Sequence, residues 1–298
     1  MTRHTPRAYH PHDAFVAPAR AKPALWRLIL GIAGAGAFYM IAGSALFAAF
    51  AILEGPVGPR MDGFIPGTPL ITFGLLLGFG FMIVGAWLAA RLLHGRGFGT
   101  LIGPVDLFGT TFRKALIAIV LVEIAIFALP PYLMPDLEPG LPLPQWVILL
   151  PFSMGALFLQ VVAEEIFFRG YVQQQLAARF ASPLVWMVLP SALFAFGHYD
   201  PANTGDNALM IVAWSFAFGL VAADLTARTG SIGAATALHF ANNAFGILLV
   251  SPPGPLSGLS LYTLPFTLAD LPAGDPLILI DLGLILCGWL AIRLALKV

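Results

Sequence analysis

Eight long apolar runs, at about 25–53, 70–93, 113–134, 145–179, 183–198, 207–227, 231–250 and 276–296, constrain this chain more than any other feature. Most approach the roughly 20 residues that an α-helix needs to cross a bilayer core. In hydrocarbon every backbone N–H and C=O must be satisfied within the protein, so only helices and closed barrels can span. Runs of this length without strict alternation read as helices. Composition agrees: 59% of the residues are hydrophobic and 10% charged, against roughly 25% charged in a soluble domain. The expected fold is an all-α polytopic membrane protein, a bundle of about eight transmembrane helices.

The segments between the runs sort by charge, and cytoplasmic loops should carry the excess of Lys and Arg. One set holds Arg20, Lys22 and Arg27 before the first run, then Arg91, Arg96, Arg113 and Lys114 around the second connection. Arg179, Arg228, Arg293 and Lys297 complete it. The alternate set holds Glu54 and Asp62 with a lone Arg60, then Asp136 and Glu138 after Pro130-Pro131, Asp200 and Asp206, and Asp270 and Asp275. Both termini are therefore expected on the cytoplasmic side. Low Lys with high Ala, Gly and Arg points to a bacterial inner membrane. Residues 1–24, with Arg3, Arg7, Arg20, Lys22 and four prolines but no apolar core of their own, read as a disordered basic cytoplasmic tail. Residues 25–298 read as a single transmembrane domain. The Pro- and Gly-rich loop from Ser251 to Pro276 is either a cover or a connector. Formal charge is zero, with 15 basic and 15 acidic residues. Without a clustered basic face, a nucleic-acid partner is not expected. The single Cys287 can form no intrachain disulfide.

Within Val161-Val162-Ala163-Glu164-Glu165-Ile166-Phe167-Phe168-Arg169-Gly170, two carboxylates and a guanidinium interrupt the fourth run. A charge at the centre of a membrane helix costs about 2.5–3.5 kcal/mol even on lenient insertion scales, so such a pair marks a functional site by default. Glu165 and Arg169 stand four apart with the acid first, the favourable order for an ion pair along a helix. Glu164 is rotated about 100° from its neighbour and is free to face another partner, which suits a general base. His198 and Glu164 are equally far along the chain from residue 181, so a turn there brings them to similar depth. Phe194, one turn before His198, packs beside the imidazole. His239 and Asn243 share one helix face and can polarise a carbonyl or hold its oxyanion. Asn242, offset by one residue, is expected to bond a neighbouring helix. Glu123, Asp224 and Asp281 read as packing or helix-end polar groups, having no spaced partner.

Glu164-Glu165-x-x-x-Arg169, Phe194-x-x-x-His198 and His239-x-x-x-Asn243, in that order on three predicted helices, resemble the three-part signature of the CPBP family of intramembrane proteases. The same family is called the CAAX protease and bacteriocin-processing (Abi) family. The resemblance covers about residues 145–250. It implies an all-helical membrane enzyme that hydrolyses a peptide bond near the cytoplasmic face, in a membrane-associated peptide or protein substrate that is lipidated in some relatives. Carried over, Glu164 and His198 activate a water, His239 and Asn243 stabilise the oxyanion, and Glu165, Arg169 and Phe194 support them. Family members are usually labelled metalloproteases, and Glu164, His198 and His239 could complete a zinc site with one position open for water. A Glu-activated water without a tightly held metal is the rival account, and spacing leaves both open. The His-Glu-x-x-His signature is absent.

Two other classes remain. A proton- or cation-coupled transporter would use buried Glu and His in a relay, but inverted repeats and paired broken helices are not evident. A non-catalytic bacteriocin-immunity or partner-binding membrane protein would keep the constellation without turnover.

Overall fold

The computed structural model describes residues 7–55, 67–128 and 136–298. Arg3, Arg60, Asp62 and Pro130-Pro131 lie outside them. Each expected run is helical over most of its described part, and the all-α class holds. The helices are α1 (His10–Val16), α2 (Leu25–Glu54), α3 (Pro69–Gly78), α4 (Gly80–His94), α5 (Gly99–Ile102) and α6 (Val105–Phe127). They continue as α7 (Leu143–Glu165), α8 (Gln174–Arg179), α9 (Pro183–Phe196), α10 (Pro201–Thr204), α11 (Ala208–Thr229), α12 (Gly233–Asn243) and α13 (Pro276–Leu296). Four continuous stretches, Leu25–Glu54, Pro69–His94, Leu143–Arg179 and Pro201–Thr229, are long and apolar enough to cross a membrane. Large apolar side chains point outward from several helices, among them Ile41 (73% exposed), Ile148 (69%) and Leu294 (79%). Such a surface is stable facing lipid and costly facing water.

The helix bearing the most chemistry is also the most irregular. α7 runs on through a π-helical stretch, Ile166–Gln173, into α8, and a second π-helical stretch, Ala244–Leu249, follows α12. The first begins within a motif block, directly after Glu165, and the second directly after Asn243, and π turns are frequent at functional sites. The first is wedged by α5: a Cβ on Gly170 would lie 2.1 Å from the Leu101 carbonyl oxygen, so only glycine admits that approach. α12 is enclosed on all sides, and its first five residues, Gly233-Ala234-Ala235-Thr236-Ala237, are small and buried. Small side chains let neighbouring helix backbones approach closely, which places the residues after them, His239 included, at the centre of the bundle.

The N-terminal expectation needs correction. Residues 7–21 are ordered as a 3₁₀ turn (Arg7–Tyr9), α1 and a second 3₁₀ turn (Ala17–Ala21). Phe15, Val16 and Ala19 form a short buried face against α8 and α11. Polar anchors hold the same segment: the Tyr9 hydroxyl donates to Asp224 Oδ1 (2.8 Å), the His12 ring lies 4.5 Å from that of Trp186, tilted by 46°, and Gln174 donates to the Phe15 carbonyl. Three apolar residues within five positions were enough to dock it, because the bundle supplies the rest of the core. Asp224 is also better partnered than its spacing suggested. Besides Tyr9 it accepts from Arg228 Nε (2.8 Å) one turn on and from Trp289 Nε1 (2.9 Å).

His12 is 3% exposed, and burial pushes its pKa down to about 4, with Asp13 opposing and Arg20 adding to the shift. A released segment would titrate near 6.5. The docked form is therefore favoured fully above pH 6.5 and loses stability as pH falls towards 4, by about 3 kcal/mol at the limit. Protection factors for residues 7–21, with the faster intrinsic exchange at higher pH divided out, should be larger at pH 8 than at pH 5, and His12→Phe should remove the difference. Equal protection of the wild-type segment at both values would contradict a neutral buried imidazole.

At the opposite end, the loop after Ser251 packs onto the bundle. Three two-residue strands, β1 (Glu138–Pro139), β2 (Val250–Ser251) and β3 (Tyr262–Thr263), form a sheet in the order β1-β3-β2, with β1 antiparallel and β2 parallel to β3. Thr72 on α3 donates to the Pro255 carbonyl (2.8 Å), and Asn207 donates to the carbonyls of Leu268 (3.0 Å) and Leu271 (2.9 Å). The polar stretch from Asp200 to Asn207 thus packs against this loop.

Candidate active site

The buried charges gather where the end of α7 meets the end of α12. Glu164, Glu165, Arg169 and His239 are 7%, 0%, 1% and 3% exposed. Arg169 Nη1 donates to Glu165 Oε1 (3.0 Å), the expected intrahelical ion pair, and survives the π-helical turn. Its Nη2 donates across to the Gly219 carbonyl on α11 (3.2 Å).

His239 lies against both carboxylates. Its Nδ1 is 2.8 Å from Glu165 Oε1 and its Nε2 is 3.4 Å from Glu164 Oε2. An ionised carboxylate only accepts, so Nδ1 is the protonated nitrogen in the first contact. Glu165 therefore orients the imidazole as well as pairing with Arg169. The two ends of His239 then touch the two glutamates, a link that spacing along the chain could not show. Glu165 Oε2 has no hydrogen-bond partner among the described residues.

His198 stands just beyond the end of α9, where Nδ1 meets the Phe194 carbonyl (2.9 Å). A carbonyl can only accept, so Nδ1 carries the proton and Nε2 of the neutral ring keeps its lone pair. Phe194 is the wall between elements. Its ring centroid is 4.5 Å from that of His198 and 6.0 Å from that of His239, and the Arg169 guanidinium carbon lies 4.9 Å above it. Phe218, which carried no sequence signal, closes the other side at 4.9 Å from His239. Glu164, His198 and His239 thus share one region. Among the described residues, no three His, Cys, Asp or Glu side chains stand at metal-binding spacing. Glu164, His198 and His239, the possible zinc set, do not make such a group as arranged.

Sequence reasoning passed over Gln160. Its Nε2 donates to Glu164 Oε2 (2.7 Å) and its Oε1 accepts from Asn243 Nδ2 (3.1 Å). The available signal was an amide one helical turn before Glu164 in an apolar run. Asn242 also differs from expectation, since it donates to Asn243 Oδ1 (3.3 Å) rather than to another helix.

This geometry falls within residues 144–245, which match the family model described as Type II CAAX prenyl endopeptidase Rce1-like. That stretch is Rce1-like. All three motif blocks lie inside it, in agreement with the CAAX-protease resemblance read from them, and the match supports a protease-like function in the membrane. A wider likeness joins the chain to the uncharacterised protein YyaK of Bacillus subtilis (strain 168), 26% identical over 266 residues, which are 84% of this chain and 87% of that one. No solved structure matches the chain.

Proposed function

We propose that the chain is an intramembrane endopeptidase that hydrolyses a peptide bond of a membrane-associated substrate, lipidated or not, by a water that Glu164 and His198 activate. The observation carrying this is the contact of one buried imidazole with two adjacent carboxylates inside the Rce1-like segment. Two carboxylates and one guanidinium leave a single uncompensated negative charge, and a low-dielectric site favours neutrality. One proton closes the balance; on His239 Nε2, 3.4 Å from Glu164 Oε2, it leaves Glu164 ionised to act as base.

With Glu164 Oε2 engaged by Gln160 and His239, Oε1 is the oxygen free to take a proton from water. The lone pair on His198 Nε2 can help to orient that water. Attack on the carbonyl carbon develops an oxyanion, for which His239 Nε2–H and the second amide hydrogen of Asn243 are the candidate donors. The proton held by Glu164 then passes to the leaving amine as the C–N bond breaks. Burial strengthens each of these interactions, because the local dielectric is low. Both termini and the basic loops are assigned to the cytoplasmic side of a bacterial inner membrane, where a water-bearing opening would meet the substrate.

The test is cleavage of quenched-fluorescent peptides, one a farnesylated C-terminal CAAX peptide, by the purified protein in detergent, with and without chelator. Cleavage is the expected result, and its chelator response decides whether zinc or another divalent metal is required. A folded protein that cuts none of them would favour the partner-binding or immunity reading instead.

A further inference from the structure

Three cations meet at the end of α4, and no acid balances them. Gly95, in the left-handed conformation (φ 70°), stops the helix, and the amides of Gly95 and Arg96 donate to the carbonyls of Arg91 (3.1 Å) and Ala90 (3.0 Å). Arg96 then turns into the protein, where it is 3% exposed. Lys22 arrives from the N-terminal segment: its carbonyl meets His94 Nδ1 (3.0 Å), and a Cβ on Gly95 would lie 3.5 Å from its Nζ. Arg27, in the first turn of α2, donates to the Leu93 carbonyl. The buried His94 ring feels the charges of Arg96, Arg27 and Lys22 together.

The acceptors within reach are too weak for that much charge. Arg96 donates to Gln175 Oε1 (3.2 Å), Thr100 Oγ1 (3.3 Å) and the carbonyls of Thr100 (3.4 Å) and Gly170 (3.5 Å), all of them neutral and all longer than a charge-assisted bond. Among the described residues none of the three cations pairs with a carboxylate. A helix C-terminus carries about half a negative charge, a small part of what three cations need. A buried cation is costly unless an anion meets it.

The neighbouring side chains indicate what kind of anion. Leu25, Trp26, Ile29 and Leu92 are exposed on the same two helices, and the Arg27 guanidinium carbon lies 4.6 Å from the Trp26 ring centroid. An exposed indole and basic residues at the ends of spanning helices mark the level of lipid headgroups. A soluble anion would gain nothing from apolar neighbours, whereas a phospholipid can lay its chains along them and its phosphate among the cations.

We propose that the ends of α2 and α4 form a binding site for the headgroup of an anionic phospholipid, held by Lys22, Arg27 and Arg96. The site is on the side assigned to the cytoplasm, whose leaflet carries such lipids. It also touches the π-helical stretch that follows Glu165, through Arg96 to the Gly170 carbonyl and through His94 Nε2 to the Tyr171 hydroxyl (3.0 Å). A bound headgroup would brace that stretch, and its binding can be measured without turnover, independently of the peptidase reading.

The experiment is a titration of the full-length protein, in a neutral detergent at constant ionic strength, with phosphatidylglycerol or with phosphatidylcholine of the same acyl chains, followed by microscale thermophoresis. Phosphatidylglycerol is expected to bind more tightly. Lys22→Gln and Arg27→Gln should each weaken its binding about fivefold, the equivalent of about 1 kcal/mol for one cation at a membrane surface, and leave phosphatidylcholine unaffected. Neither side chain is buried, so both variants should fold. Lys297→Gln, which removes a cation after α13, should change nothing. Equal affinity for the two lipids, or the same loss in Lys297→Gln, overturns the proposal, because the charge would then act diffusely. Inorganic phosphate should not displace phosphatidylglycerol. Displacement would make this a site for a free anion and would overturn the assignment to a lipid.

Discussion

Glu164→Gln is expected to reduce kcat for any cleaved peptide by about 10²–10⁴-fold, the span that a positioned general base contributes. Glutamine matches glutamate in size and can still offer a carbonyl oxygen to Gln160 Nε2, so the 2.7 Å contact and the end of α7 should persist. It cannot take the proton of an attacking water. The loss should therefore appear in kcat with little change in KM, and the variant should elute and melt as the wild type does. Glu165→Gln should behave differently, because that carboxylate holds both Arg169 Nη1 (3.0 Å) and His239 Nδ1 (2.8 Å). Full cleavage by Glu164→Gln would remove Glu164 from the centre of the reaction. The same loss in a protein no longer folded would say nothing about the base, so the melting curve must accompany the rate.

Much of this arrangement was legible because a bilayer imposes such strong rules. Apolar length marked the helices, and the cost of intramembrane charge made Glu164, Glu165, Arg169, His198 and His239 conspicuous. The Glu165–Arg169 pair followed from helical spacing, being contained in one turn. The cross-helix geometry was out of reach. Spacing pairs His239 with Asn243, its neighbour on one helix face, whereas the fold brings its Nδ1 to Glu165, 74 positions away in sequence. Gln160 escaped notice because a neutral amide costs less in hydrocarbon than a charge and so stands out less. Residues 7–21 were misread for another reason: Phe15, Val16 and Ala19 are too few to make a core, and only the surfaces of α8 and α11 complete one. Both π-helical stretches depend on tertiary fit, such as the approach of Leu101 to Gly170, and local sequence does not announce them.

Arg169→Met is expected to destabilise the protein by about 3–5 kcal/mol, the usual consequence of removing one partner of a buried ion pair. Folded proteins have only about 5–15 kcal/mol in total, so the variant should express poorly or melt far below the wild type. The stem of methionine fills much of the volume against Phe194, where the guanidinium carbon now lies 4.9 Å from the ring. The deficit should therefore come mainly from Glu165, which at 0% exposure has no water to turn to. His239 alone would face two carboxylates, and the Gly219 carbonyl would lose its 3.2 Å donor. The double variant Glu165→Leu with Arg169→Met tests that reasoning, since it removes the stranded charge together with its partner. It should melt above Arg169→Met while remaining inactive, because His239 Nδ1 would have lost the carboxylate that orients its ring. If Arg169→Met instead melts as the wild type does and only catalysis is lost, the guanidinium acts on the reaction directly, and the separation drawn between a catalytic Glu164 and a supporting Glu165–Arg169 pair is wrong.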